Sequence, residues 1–177
     1  HEIGVHAYYH KALKGLTPKE TLTEIRKTAY QIATITGQPP RVFRAAYGAL
    51  SPISLEVLKR TKLKHVDWSH DTLDWKKAEE GKTLNGKKIA QNIKAGDVVL
   101  FHDGAMGRQA GQAGQRGINI LRALPAIIEG SRQKGFEFEP VEKQFQKGQR
   151  LKYRIRTIGK YAKARLDGLK NKIRRRK

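Results

Sequence analysis

The chain has 177 residues, enough for one domain with a sizeable core. It contains no cysteine, which excludes a disulfide framework and any thiolate metal site, and no apolar run approaches the roughly 20 residues that span a bilayer. The formal net charge of +21 is unevenly spread: residues 147–177 hold 14 of the 37 Lys and Arg against a single acid, Asp167. A tail of that kind implies an anionic partner, such as nucleic acid, a wall polymer or a membrane surface, or else a solvated, partly disordered end.

The chain opens on His1 rather than Met, with no leader ahead of it, and reads as a processed or cut piece. A short apolar run, Ile3 to Val5, leads into His6 and His10. Four positions apart on a helical turn, the two imidazoles would share one face about 6 Å apart. Imidazole is the commonest protein ligand for zinc-like metals, but zinc takes three or four ligands, so the pair alone is also compatible with two unrelated surface histidines.

Thr17-Pro18-Lys19-Glu20 predicts a helix start, with Thr17 as N-cap, Pro18 in the first turn and Glu20 completing a capping box. Leu22, Ile25, Ala29 and Ile32 recur at helical spacing, and Gly37 ends the run. After Pro39-Pro40, Arg41–Phe43 reads as a short strand and Arg44–Gly48 as a loop. Ser51 to Arg60 is a second helix, capped by Ser51 or Ser54, and Lys64 to Ser69 a second strand. A loop follows through Asp71, Asp74 and Trp75, with Asp71 read as a turn-former whose side chain bonds its own backbone.

Thr83 to Ile93 predicts a weaker helix interrupted by Asn85-Gly86. Val98 to Phe101 is an unbroken apolar strand of the kind buried on both faces, closed by His102-Asp103-Gly104. Ala105 to Gly117, rich in Gly and Gln, reads as a loop. Ile118 to Lys134 is a strong helix that Pro125 would kink, and Phe136 to Val141 a further strand. Beyond Lys147-Gly148-Gln149, Ile158, Tyr161, Leu166, Leu169 and Ile173 keep helical spacing among basic residues, which predicts a basic amphipathic tail helix over part of 147–177. Alternating short strands and amphipathic helices predict an α/β fold with parallel strands, a sheet or a barrel, in a domain spanning 1–146.

The chemically capable residues follow the predicted strands. His6 and His10 follow the first, Arg44 and Tyr47 the second, Asp71, Asp74 and Trp75 the third, and His102 and Asp103 the fourth. In parallel barrels the C-terminal ends of the strands are where active sites are built. Four such groups in succession favour an enzyme. The bland competitors are a solvated Arg44 and a core Trp75, and Leu100 is core in either reading.

The blocks H-E-I-G-V-H-A-Y-Y-H, F-R-A-A-Y-G, D-T-L-D-W and L-F-H-D-G, in that order, resemble the later blocks of the NodB-type polysaccharide deacetylases, carbohydrate esterase family 4. The resemblance runs from His1 to about Val141 and leaves the tail uncovered. It implies an incomplete, distorted (β/α) barrel and a hydrolase that removes N-acetyl groups from an N-acetylglucosamine polymer with one divalent metal, most often zinc. By the resemblance His6 and His10 are two of three metal ligands. The third, with the catalytic base, belongs to a T-F-D-D-G block that does not occur in these 177 residues. About two βα units, roughly 60 residues, would hold it.

His102 is implied as general acid, Asp74 as the group that fixes its tautomer, and Arg44 as the partner of the absent aspartate. Tyr47 would offer its backbone N–H to the oxyanion, and Leu100 and Trp75 would wall the acetyl pocket. Ala45 and Ala46 stand where the family usually has two prolines, and Ala7 where a Ser or Thr is common. The piece by itself is expected to be inactive or nearly so. The family implies an extracellular or cell-envelope setting. An anionic polymer or membrane surface could engage residues 147–177, and no specific nucleic acid is expected, because no recognition motif accompanies the charge.

Overall fold

The computed structural model describes residues 1–103 and 113–146; residues 104–112 and the basic tail from 147 lie outside the described residues. The chain divides into two compact units, one formed by His1–Asp67 with the segment from Pro140, the other by Trp68–Glu139.

In the first unit, helix α1 (Pro18–Thr36) starts as its sequence dictates: Thr17 accepts from the Glu20 amide, and the Glu20 side chain accepts from the Thr17 amide at 2.8 Å. Such a cap contributes about 1 kcal/mol. Gly37 closes the helix in the left-handed region, φ 71°, which a residue without Cβ adopts freely. Strand β1 (Val42–Phe43) pairs in parallel with β2 (Lys64–His65), register Val42 with Lys64 and Phe43 with His65, and Val5 joins the far side of Phe43 by a single parallel bridge. Between the strands lie a 3-10 turn (Ala46–Gly48) and α2 (Pro52–Lys59), capped by Ser51 in a reciprocal pair with Ser54. Val5, Leu13, Ile25, Phe43, Ala45, Leu50, Val57 and Leu58 form one apolar core. Full burial of its larger side chains contributes about 1.5–3 kcal/mol each. Helix α6 (Val141–Gln146) closes the unit, with the Arg41 guanidinium 2.9 Å from the Glu142 carboxylate.

The second unit pairs β3 (His70–Asp71) in parallel with β4 (Val99–Leu100), register His70 with Val99 and Asp71 with Leu100. Helices α3 (Asp74–Glu79), α4 (Gly86–Asn92) and α5 (Ala113–Gln133) complete it. Ile89 and Ile93 of the α4 end pack with Ala123 and Ile127 of α5. Lys134 seals the α4 C-terminus, its ammonium donating to the Ala90, Gln91 and Ile93 carbonyls, a cation at the negative end of the helix dipole.

Parallel pairing and alternating α and β elements are as expected, but among the described residues the strands form two two-stranded sheets and a bridge, with no closed sheet. Several boundaries differ from the sequence expectation. His70-Asp71 is a strand and Asp74–Glu79 a helix, where one loop was predicted. Asn85-Gly86 is not an interruption but the start of α4, Asn85 accepting from the Lys88 amide at 2.9 Å. Helix α5 begins at Ala113 and runs through Pro125. The strand predicted over 136–141 is absent, and Val141 opens a helix instead. Among the described residues no helix is long and apolar enough to cross a membrane.

Candidate active site

The first unit carries His6, His10, Arg44 and Tyr47. The histidines do not sit on a helical turn, as their spacing suggested; they flank an irregular loop that follows the Val5 bridge, with Ala7 at φ 65° and His10 at φ 52°. Left-handed geometry costs an ordinary L-residue about 1–2 kcal/mol, so contacts elsewhere must hold the loop. The rings nevertheless meet, edge to face, centroids 4.9 Å apart. His6 Nδ1 lies 2.9 Å from the Arg44 carbonyl oxygen. A carbonyl only accepts, so Nδ1 carries the proton and the lone pair of the neutral ring falls on Nε2, one of the two ring nitrogens through which imidazole can bind a metal. His10 Nδ1 lies 3.2 Å from the Tyr47 hydroxyl, and the two rings pack edge to face at 4.7 Å.

Tyr47 is itself left-handed, φ 58°, and Ala45 and Ala46 before it are fully buried. Two small apolar side chains sunk in the core thus anchor this loop, in positions where the family commonly has prolines. Arg44 is held by its backbone, its amide donating to the Val5 carbonyl at 2.8 Å, while Nη2 lies 3.4 Å from the Asp67 carbonyl. Burial pushes the nearby His65 imidazole below its ordinary pKa; Asp67 opposes that shift and Arg44 adds to it.

One residue here was missed by the sequence reading. Glu24 of α1 is buried, and one carboxylate oxygen accepts from the Tyr8 amide at 2.9 Å and the Tyr9 amide at 2.8 Å, two of the three amides between the histidines. The signal was available: a carboxylate in the buried stripe Thr21, Glu24, Ile25 of an amphipathic helix.

The second unit carries Asp74, Trp75, Leu100 and His102. Leu73 is left-handed, φ 54°, and Asp71 steadies this turn by accepting from the Leu73 amide at 2.9 Å, the turn-forming role expected of it. Asp74, the first residue of α3, is buried, and both carboxylate oxygens are used: Oδ1 lies 2.9 Å from His102 Nδ1, and Oδ2 accepts from the His102 amide at 2.9 Å. The Thr72 hydroxyl, 2.7 Å from the Leu100 carbonyl and 3.2 Å from Asp74 Oδ1, completes the network. Burial works to raise the Asp74 pKa, but the bonds from His102 and Thr72 outweigh it and hold the carboxyl below its ordinary range. The His102 side chain is one-third exposed, so its ring reaches solvent. Leu100 is buried, and Trp75 is about one-third exposed rather than a core residue.

Chemically, the second unit holds a histidine whose tautomer and orientation are fixed by a buried carboxylate, the arrangement of a proton donor or acceptor. The first holds two imidazoles suited to a metal. Among the described residues no group of three or more His, Cys, Asp and Glu is gathered to hold an ion, so the pair fits a metal but does not complete its coordination.

The sequence profile of the polysaccharide deacetylases matches residues 1–66. A chitooligosaccharide deacetylase of Azorhizobium caulinodans is 31% identical over 144 residues, which cover 80% of this chain and 68% of the relative. Among solved structures, the Bc1960 peptidoglycan N-acetylglucosamine deacetylase matches with TM-score 0.66 and 26% identity over 82% of this chain and 64% of its own. A CE4 family pseudoenzyme from Bacillus anthracis shares the fold, with TM-score 0.65 and 22% identity over 80% of this chain and 45% of that one. On the residues and the fold together, the chain belongs to the polysaccharide deacetylase family. It spans between about half and two thirds of the lengths of these proteins.

Proposed function

We propose that the protein is a metal-dependent hydrolase that removes N-acetyl groups from an N-acetylglucosamine-containing polysaccharide, such as peptidoglycan, a chitin-like polymer or an exopolysaccharide, outside the cell or at its envelope. The observation that carries this is the buried Asp74 carboxylate 2.9 Å from His102 Nδ1, in a chain 31% identical to a chitooligosaccharide deacetylase.

His6 and His10 would hold the divalent metal, zinc by the chemistry of paired imidazoles. Bound there, the ion supplies Lewis acidity toward the amide carbonyl and an attacking water. The chain's own residues do the rest. Tyr47 offers its amide to the developing oxyanion. His102, oriented by Asp74, gives a proton to the sugar nitrogen as the C–N bond breaks and acetate leaves. Leu100 and Trp75 border the acetyl methyl. Arg44 balances the charge of the aspartate base, a group that, with the third metal ligand, must come from a T-F-D-D-G segment. The 177 residues alone, with two ligands and no base, then turn over little substrate.

The test measures acetate release from N-acetylglucosamine oligomers, with zinc added, by the 177-residue chain and by the same chain carrying the corresponding upstream segment of the Azorhizobium relative. The grafted protein should be active, its His102→Ala variant slower by about 10²-fold or more, and the 177 residues alone nearly silent. Full activity of the ungrafted chain overturns the need for the segment. A silent graft, or His102→Ala matching its parent, overturns the hydrolase and leaves a scaffold that binds an anionic polymer.

A further inference from the structure

Two of the three amides between His6 and His10, those of Tyr8 and Tyr9, point at one oxygen. Tyr8 N and Tyr9 N reach Glu24 Oε2 at 2.9 and 2.8 Å, and Glu24 is only 4% exposed. Consecutive backbone N–H groups beside a left-handed residue form a concavity that binds an anion; here Ala7, φ 65°, precedes the pair and His10, φ 52°, follows it. The anion is not a ligand but a carboxylate delivered by α1, a helix whose register is fixed at both ends by the Thr17–Glu20 box and Gly37.

We infer that Glu24 is a positioning residue for the imidazole pair: it holds the loop in the left-handed course that brings the His6 and His10 rings to a 4.9 Å separation. This rests on the proposal that the two rings bind a metal. The geometric part stands without it, because the loop's strain and its two charge-assisted hydrogen bonds are properties of the chain alone. Val5 and the Arg44 carbonyl anchor the loop from the strand side, through the Val5–Phe43 bridge and the His6 Nδ1 contact. Glu24 anchors it from the helix side.

The roles of a positioning residue and of a mere core residue separate as follows. Glu24→Gln keeps an accepting oxygen at the same place; Glu24→Ala removes it; Ile25→Val, on the same buried stripe, loosens the packing of α1 in the core while leaving the Tyr8 and Tyr9 amides their acceptor. Two readouts are taken: zinc affinity by calorimetry on the chain grafted with the upstream segment, and the metal-free ring-nitrogen spectra of His6 and His10 by NMR on the full 177-residue chain. Glu24→Ala should weaken zinc binding about tenfold, the size of effect typical when the support of a metal ligand is lost, and should abolish the protonated-Nδ1 signature of His6. Glu24→Gln should stay within about threefold of the parent, and Ile25→Val should leave both readouts unchanged. Folded Glu24→Ala with unchanged His6 and His10 spectra overturns the inference, as does Ile25→Val shifting them equally. A grafted parent, which carries the third ligand, that binds no zinc overturns the metal proposal instead, and the spectra still decide the role of Glu24.

Discussion

His6, His10 and His102 are each held through Nδ1, by the Arg44 carbonyl, the Tyr47 hydroxyl and the Asp74 carboxylate respectively. The partner sets what each ring can do. A carbonyl, which only accepts, places the proton on Nδ1 and turns Nε2 toward other partners, whereas the Asp74 carboxylate fixes the His102 tautomer and orients the ring for proton transfer. Asp74→Asn keeps the shape and an accepting oxygen but loses the charge, so acetate release by the grafted protein should fall by about 10²-fold. The same variant tests a pH effect. The Asp74 carboxyl titrates below its ordinary value of 3.8 because its hydrogen bonds outweigh burial. A carboxylate depressed in the folded state contributes stability that is present above the unfolded pKa, near pH 4, and is lost as pH falls through the lower folded value. Urea unfolding from about pH 5 down to pH 3 should show the parent losing stability more steeply than Asp74→Asn; parallel curves would count against a charged Asp74. The letters of this site were legible because His6, His10, Asp74 and His102 sit in short local blocks. Their supports were not. The Arg44 carbonyl and Tyr47 hydroxyl lie 38 and 37 positions from the rings they hold, and spacing along the chain carries no information about such pairs.

Start and stop signals decided which elements could be read. Helices α1 and α2 have side-chain caps and a proline in the first turn, and both were found from sequence. Helix α3 follows a left-handed Leu73 with no side-chain cap, so nothing announced it. Strand β3 is two residues long, too short for any alternation, and exists because it pairs with Val99 and Leu100. At Asn85-Gly86 a turn signal concealed an N-cap, and the glycine has a packing cause: a Cβ there would lie 2.4 Å from the Ala123 carbonyl oxygen of α5. Gly117 in α5 meets nothing within 4 Å. The two positions should therefore respond with opposite signs to one substitution. Gly86→Ala should destabilise by about 1–3 kcal/mol, since α4 must move off α5. Gly117→Ala should stabilise by about 0.5–1 kcal/mol, the usual gain from removing a helix glycine. Urea midpoints measured side by side give both signs; a stabilising Gly86→Ala would disprove the close contact.

At the scale of the whole molecule, the parallel α/β class followed from the alternation of strands and helices, but the division into two units did not. The boundary at Asp67-Trp68 falls inside a stretch that reads as one strand, with no Pro, Gly or charge run to mark a linker. Charge is the other property on this scale. Residues 147–177 bring a net +13 of the +21, leaving +8 on the body. Coulomb attraction between exposed charges is screened within about 10 Å at 0.1 M salt, so a charge this concentrated would need a dense polyanion or a charged surface in near contact to act on. We propose that the tail holds the protein on an anionic wall polymer or membrane surface while the body acts on sugar. Full chain should sediment with vesicles rich in anionic lipid, or with an acidic wall polymer, at about 0.05 M salt and release by about 0.5 M. Deleting residues 147–177 should abolish that binding at low salt and leave the melting temperature within about 2 °C, because residues of the body already pack together into the apolar cores around Phe43 and Ile127. A truncated body that unfolds would show that the tail completes the core, and one that still binds would move the anionic contact to the +8 of the body.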